Sequence, residues 1–480
     1  MAVKSDMAMG RKRGRERQEE LFYASEQAAA PGHPFYEQLN RVLEQAGFDE
    51  HCEQECAKFY HSKLGRPSLA PGVYFRTLLI GFFEGIGSER GIAWRVADSL
   101  SLRRFLKYGL NEATPDHVTI SRTRRLIDEG THQAMFTFVL TEVAKRGLLK
   151  GKTVGIDATT LEANAAMKSL VRRDSAESYM EYLRRLAKEA GVEASDEELR
   201  RADRKRKKKA SNQEWVNPHD EDADVTKMKD GSTHLSYKAE QAVDLDTGAI
   251  VAITTHGGAT GDTTSMEKTL PEAGYAIANQ IATKTADGRY KVHERGLREV
   301  VTDKGYHSAA GLVKLAAAGV RSYIPEKKQT RNWAGKADQK RVYLANRRRV
   351  MGARGKCLLK RRGEFLERPF AHQYETGGMR RLHVRGLEEV AKRVLLQAAA
   401  FNLALILRSI TKAGTPRGLA DRHLAALGLI MGLLVALERQ EGDPGPESRP
   451  ASAEQPNRRK IALLDSLVLS KCRFVRNQGF

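Results

Sequence analysis

Lys152-Thr-Val-Gly-Ile-Asp157-Ala-Thr-Thr160 is a short, β-branched apolar run that stops on an aspartate. A second stretch, Arg298-Glu-Val-Val-Thr-Asp303-Lys-Gly-Tyr306, repeats the pattern about 145 residues later. Runs of this kind favour strands, so each places a carboxylate at the lip of a sheet. The chain around them carries 81 Lys and Arg against 60 Asp and Glu, a net charge of +21. An excess of this size attracts a polyanion, with nucleic acid the first partner to consider. Paired carboxylates in a basic protein are suited to holding divalent cations against phosphodiesters.

Outward from the first aspartate the pattern is strand, charged insertion, hairpin, then alternating strand and helix. The insertion, at about 165–228, is of helical period and runs into Arg200-Arg-Ala-Asp-Arg204-Lys205-Arg206-Lys207-Lys208-Lys209, in which eight of ten residues are basic. Two strands follow, 234–244 and 249–255, joined at Leu245-Asp-Thr-Gly248, whose Asp and Gly suit a tight turn. Helices are expected near 264–282 and 308–318, with a short strand at 321–324. Residues 149–412 therefore read as an α/β catalytic domain, a mixed sheet with helices on both faces.

Residues 33–148 read as an all-α domain. Ser88 marks one helix start, with Ile92, Ala93, Val96, Ala97 and Leu100 along one face; Thr114 with Pro115 marks another. Short helices joined by tight turns are the raw material of a DNA reader. The helix expected over 115–127 presents His117, Arg122, Arg124 and Arg125 to phosphates or base edges.

Residues 1–32 are basic, and no apolar stretch follows them, which predicts a cytoplasmic protein without a signal peptide. The longest apolar run, 424–437, is too short for a membrane span and reads as a buried helix. It lies in a C-terminal segment, 413–480, whose residues 442–450 have a linker's composition and whose end, 461–475, is amphipathic. Four cysteines are too few and too scattered for a disulfide framework. Cys52 and Cys56, flanked by His51 and His61, form a weak zinc candidate beside the plainer reading of one helix face.

Phosphodiester hydrolysis or transfer by two metals calls for two or three converging carboxylates. Asp157 and Asp303 are the first two. The third is expected from Arg361-Arg362-Gly-Glu364-Phe-Leu-Glu367-Arg368-Pro369, where Glu364 and Glu367 stand three apart. Because Pro369 is poorly tolerated deep in a helix, the helix is expected to begin near Glu367 and run to about Tyr374. The preceding stretch 326–362, with 14 Lys and Arg against Glu326 and Asp338, is a second basic region; it includes Arg347, Arg348 and Arg349.

Several stretches together resemble the bacterial insertion-sequence transposases with a DDE catalytic triad. They are Gly65-Arg-Pro-Ser-Leu-Ala-Pro-Gly-Val-Tyr74, Gly87-Ser-Glu-Arg-Gly-Ile-Ala-Trp94, Glu112-Ala-Thr-Pro-Asp-His117, Ile156-Asp-Ala-Thr-Thr-Leu-Glu-Ala-Asn164, Val225-Thr-Lys-Met-Lys-Asp-Gly231, Thr302-Asp-Lys-Gly-Tyr306 and Leu366-Glu-Arg-Pro-Phe-Ala-His372. The resemblance runs from about residue 33 to about 420. It implies an RNase H-like catalytic core, interrupted after its first strand, and an N-terminal helical domain that recognises terminal inverted repeats. It further implies that Asp157, Asp303 and Glu367 hold two Mg2+ ions, with Mn2+ as a substitute. Related transposases carry a Tyr seven before the catalytic Glu, an Arg four before it and a Lys seven after it; here those places hold Lys360, Gly363 and Tyr374.

The expected function is cleavage of double-stranded DNA at the element's ends and transfer of the 3′ ends to target DNA, with at least a homodimer assembled on the DNA and no membrane involved. Arg204 to Lys208, Arg347 to Arg349, Arg361 and Arg362 are the expected DNA-backbone contacts, with Lys304 and Arg368 beside the acids. Two alternatives remain at this point: a metal-dependent nuclease that does not join strands, and a DNA-binding relic of a transposase.

Overall fold

In a computed structural model, the described residues are 9–10, 32–61, 68–109, 111–205, 211–228, 231–289, 291–327 and 332–441. The chain divides into two units, residues 1–419 and 420–480. Arg206, Lys207 and Lys208, the linker composition at 442–450 and the amphipathic end at 461–475 lie outside the described residues.

The first unit opens with α1 (Pro34–Ala46), α2 (Phe48–Cys56), α3 (Pro71–Glu84), α4 (Glu89–Ala97), α5 (Leu100–Phe105), α6 (His117–Leu126) and α7 (Glu129–Lys145). Their ends follow local chemistry. Gly47 at φ 72° closes α1, and Ser88, Ser99, Asp116 and Asp128 cap α4 to α7 through side-chain oxygens. The α6 cap is Asp116, not the expected Thr114, because the Asp116 carboxylate reaches the Thr119 N–H at 2.6 Å.

Helix α3 is buried from Pro71 to Phe83. That environment holds Arg76, whose side chain is 2% exposed and donates to Asp49 on α2 at 2.7 and 3.2 Å. Burial would raise the Asp49 carboxyl, but the Arg76 guanidinium, helped by Lys107, holds it below the usual range. Cys52 and Cys56 are buried beside this pair, and the Cys52 thiol lies 3.4 Å from Met135 Sδ. His51 stacks on Phe138. The zinc candidate is thus a helix face packed into the core, and no metal-holding cluster occurs among the described residues.

The sheet begins with β1 (Thr153–Glu162). Between β1 and the next long strand lie β2 (Val171–Arg172), α8 (Tyr179–Glu189), α9 (Asp196–Lys205), β3 (Trp215–Val216) and β4 (Asp224–Lys227). The charged insertion is therefore two helices plus a small β2–β3 ladder; Tyr179 and Tyr182 pack on Trp215. Then come β5 (Thr233–Asp244), β6 (Ile250–Gly257), α10 (Asp262–Ala278), β7 (Glu299–Val301), α11 (Ala309–Ala317), β8 (Arg321–Tyr323), α12 (Ala337–Met351), α13 (Ala353–Glu375), α14 (Leu387–Thr411) and α15 (Pro416–Glu441).

The main sheet runs β6-β5-β1-β7-β8, with β4 sharing the outer edge of β5 with β6. β1 is antiparallel to β5 and parallel to β7, and β7 is parallel to β8. Neighbouring residues of β5 show that both faces are covered. Glu240 bonds Ser265 and Thr269 of α10, whereas Gln241 donates to the Leu366 carbonyl of α13 at 3.1 Å.

Helix α14 ties the parts together, packing on α3 and α7 and also on β6 and α13. It is buried continuously from Val390 to Ala404, as a helix hydrophobic on every side must be. Leu387–Arg422 is, among the described residues, the one helical stretch long and apolar enough to cross a membrane; 72% of its most apolar window is buried inside the protein. In the second unit the expectation of a buried helix fails: Leu424, Leu427, Leu429, Ile430, Met431 and Leu433 are between 54% and 71% exposed.

Two stability predictions follow from the helical part. Asp49→Asn leaves a buried guanidinium without its counter-charge and is expected to cost about 3 kcal/mol, measured by urea unfolding; a loss under about 1 kcal/mol would mean that Arg76 is solvated. His132 is fully buried, its Nδ1 2.9 Å from the Asp128 carbonyl and its Nε2 3.1 Å from the Tyr74 hydroxyl, and burial pushes its pKa down to about 4. As pH falls from about 6.5, the unfolded chain takes up a proton that the folded chain refuses until about 4. Stability should therefore fall by about 3 kcal/mol across that window, and melting curves of His132→Gln should show a flatter pH dependence.

Candidate active site

The pairing of β1 with β7 sets the geometry of the site. Thr153, Val154 and Gly155 lie opposite Glu299, Val300 and Val301, so Asp157 and Asp303 each stand two residues beyond the last pair of the parallel ladder. Residues i and i+2 of a strand share a face, so the two aspartates stand at the same level. Asp157 does not end its strand as expected, because pairing with β5 carries β1 on to Glu162, whereas Asp303 lies just past β7. On its other side Asp157 is paired with Gln241 of β5.

Helix α13 comes close to this edge at Gly155. A Cβ on Gly155 would lie 2.8 Å from Leu245 and 3.1 Å from the buried Leu366, so a larger residue there would press on both leucines. With α13 seated, Arg362 donates to Asp157 Oδ2 at 2.7 Å, and the Tyr374 hydroxyl donates to the Thr160 carbonyl at 3.0 Å. The helix spans Ala353–Glu375 with Pro369 inside it, rather than starting near Glu367. Its contacts with β1, β7, β8, α12 and α14 outweigh the loss of one backbone bond at the proline.

Glu367 therefore sits in mid-helix, one residue from Leu366, and is exposed. Glu364 is exposed too and pairs with Arg368 at 2.6 Å. No three His, Cys, Asp or Glu side chains among the described residues stand close enough together to hold a metal ion. In this structure Asp157 has a guanidinium as its counter-charge.

Asp303 caps the turn that follows β7, its Oδ1 accepting from Gly305 N at 2.7 Å. A Cβ on Gly305 would lie 2.3 Å from Asp262 Oδ2 and 2.9 Å from Asp303 Oδ1, so Asp262, the first residue of α10, borders the same glycine. The buried Lys238 holds Asp262 at 2.7 Å. Tyr306, at the end of the turn, donates to Glu240 Oε1 at 2.9 Å. Burial raises the Glu240 carboxyl, opposed by hydroxyl bonds from Ser265, Thr269 and Tyr306; burial and the nearby Glu240, Asp157 and Asp262 raise the Tyr306 phenol.

Lys238, Glu240 and Asp262 escaped sequence reasoning. A signal was present: Lys238, Glu240 and Gln241 are charged or polar in a run that otherwise reads as a buried strand. Arg362 was expected on the DNA backbone, and the structure gives it Asp157 instead.

The other expected DNA contacts divide by their partners. Arg122, Arg125, Lys304 and Arg348 are exposed. His117 faces Arg90 at 3.5 Å. Arg124 is only 11% exposed and pairs with Glu89 at 2.6 Å and with Glu389, which makes it a tie between α6, α4 and α14 rather than a surface cation. Arg347 pairs with Glu326 at 2.6 Å, and the half-buried Arg349 bonds the Ser322 carbonyl at 2.9 Å. Arg361 pairs with Asp246 at 3.0 Å. Arg204 and Lys205 close α9.

Residues 24–126 match a family described as "Transposase domain (DUF772)". That span ends on the last residue of α6 and contains the first six helices. No curated protein matches the chain. The match supports a transposase-type function, and so a protein that acts on DNA. It covers none of the sheet, whose chemistry rests on the geometry above.

Gly155→Val would place carbons on Leu245 and Leu366. It is expected to lower stability by about 2 kcal/mol in thermal melts, because the helix carrying Arg362 and Glu367 must move away from β1.

Proposed function

We propose that the chain is a DDE-type transposase, which binds the inverted repeats at its element's ends, cuts there and transfers the freed 3′ ends to target DNA. The observation that carries this reading is the register that sets Asp157 and Asp303 level on adjacent parallel strands. The mixed sheet β6-β5-β1-β7-β8, with three antiparallel strands followed by two parallel ones and helices on both faces, is compatible with an RNase H-like core. The transposase-domain match at residues 24–126 supports it independently.

The carboxylates are of the donor type that Mg2+ and Mn2+ take, and Glu367 would have to close on the two aspartates to complete the set. Asp157 and Asp303 would hold them, with Glu367 as the third carboxylate and Glu364 as the neighbouring candidate. Once bound, such ions supply an activated nucleophile and stabilise the leaving oxygen. Arg362 holds Asp157 in place beforehand; once cations take over that charge, its guanidinium is free to turn to a DNA phosphate. The buried Lys238 keeps Asp262 against the Asp303 turn, and Glu240 anchors Tyr306 beneath it. The exposed Arg122, Arg125, Lys304 and Arg348 are the cations available to the DNA backbone, and pairing two DNA ends calls for at least a dimer.

The test is cleavage and joining of labelled DNA carrying the native element ends, in Mg2+. Asp157→Ala and Asp303→Ala should retain DNA binding and lose cleavage by on the order of 10³-fold or more. Glu367→Ala should match them while Glu364→Ala stays near wild type; the reverse result would move the third ligand to Glu364. Cutting without joined products would indicate a nuclease. A wild type that binds but never cuts would indicate a DNA-binding relic.

A further inference from the structure

We propose that a half-enclosed cavity between the N-terminal helices and residues 378–393 binds a single nucleotide, or another phosphate ester of that size. The cavity has a volume of about 260 Å³ and is lined from both sides, by α3, α4 and α6 and by the segment from Gly378 to Arg393. None of the acidic-edge residues lines it. The inference therefore stands whether or not that edge is catalytic.

Charge is the first argument. Two of the cations in the cavity wall are already satisfied: Lys392 pairs with Glu388 and Glu389, and Arg124 with Glu89 and Glu389. Arg393 is different. It is 7% exposed, its Nη2 donates to the Ile86 carbonyl at 3.0 Å and lies 3.5 Å from that of Gly87, and it has no carboxylate in ion-pair range among the described residues. Burial pushes its pKa down, yet an arginine does not shed its proton in a protein. Its hydrogen bonds go to carbonyls and the opposite charge it feels, Glu89, is already paired with Arg124, so the guanidinium is left wanting an anion, and the open space available to one is the cavity it lines.

The rim points the same way. Arg90, Arg381 and His383 are exposed around the mouth, and Arg90 faces His117 at 3.5 Å with no acid between them. Arg381 has one carboxylate nearby, Glu162 at 3.8 Å, which His234 shares at 3.7 Å. Ser88 caps α4 at the same wall, so the positive end of a nine-residue helix also faces the cavity.

Size and the apolar wall narrow the ligand. Met379, Leu382 and Val384, with Leu78 of α3 across from them, add apolar surface suited to a base, which inorganic phosphate would leave uncovered. The volume lies just under the roughly 300 Å³ at which small-molecule pockets begin, room for one nucleotide and far too little for a duplex. The phosphate ester has two possible sources, a free nucleotide or one nucleotide unstacked from a DNA strand.

The full chain would be titrated calorimetrically with dAMP, deoxyadenosine and inorganic phosphate, in EDTA so that metal plays no part. The expected result is saturable one-to-one binding of dAMP, with deoxyadenosine and phosphate each at least 10-fold weaker. Arg393→Met should abolish it and Arg381→Gln should weaken it at least 10-fold. Arg381 is on the exposed rim, so that variant keeps the fold, checked by circular dichroism, even if Arg393→Met does not. Displacement of dAMP by a single-stranded octanucleotide would assign the site to a DNA strand, and failure to displace it would assign the site to a free nucleotide. No saturable dAMP binding by the wild type, or equal binding by Arg381→Gln, would overturn the proposal.

Discussion

A helix buried on every side must find partners for the polar groups it carries, and α14 finds most of them at the two surfaces it joins, with Gln397 Oε1 left over. Asn402 bonds both the amide and the carbonyl of Ile250 at the start of β6, at 3.0 and 2.8 Å. Gln397 donates to the Gly377 carbonyl, and Lys392 to the Arg124 carbonyl. Glu389 meets Arg124 from the helical side. An unmet group at any of these points would cost more than its bond contributes, so the arrangement is specific as well as apolar. The sheet and the N-terminal helices are held to one core by this element, and the basic cavity exists because α14 brings Arg393 to the carbonyls before α4.

The acidic edge depends on a different constraint, the close approach of α13 to β1. Leu366 fills the space that Gly155 leaves, and from that contact the helix carries Arg362 to Asp157 and Tyr374 to Thr160. The side chains that could act on a phosphodiester are thus fixed from three directions: strand register for the aspartates, helix seating for Arg362 and Glu367, and the Gly305 turn for Asp262. Glu240 and Tyr306 lie beneath, joined by hydroxyl bonds that a buried carboxyl needs.

Much of this was legible in the residues themselves. The strands around Asp157 and Asp303, the hairpin at Leu245 to Gly248 and the Ser88 cap rest on local chemistry, and they stand within a few residues of where the pattern puts them. The readings that failed are those in which a distant partner overrules a local rule. Pro369 argues for a helix start, but α13 runs through it because its packing outweighs one lost bond. Arg124 looks like a surface cation on a basic helix, but Glu389, far along the chain, claims it. The apolar run from Leu424 looks like a core helix and is exposed, because apolar composition does not itself supply a neighbour to pack against.

The sequence by itself determined the element types around the two aspartates and the surplus of positive charge, since dihedral preference, side-chain alternation and net charge are properties of adjacent residues or of the whole composition. Only the tertiary structure decided which charges are spent and which remain open. Arg362, Arg347 and Arg361 have acids as partners, while Arg393 lies buried with carbonyls alone. An ion pair depends on distance in space, and a few ångströms between residues hundreds of positions apart cannot be derived from their spacing in the chain.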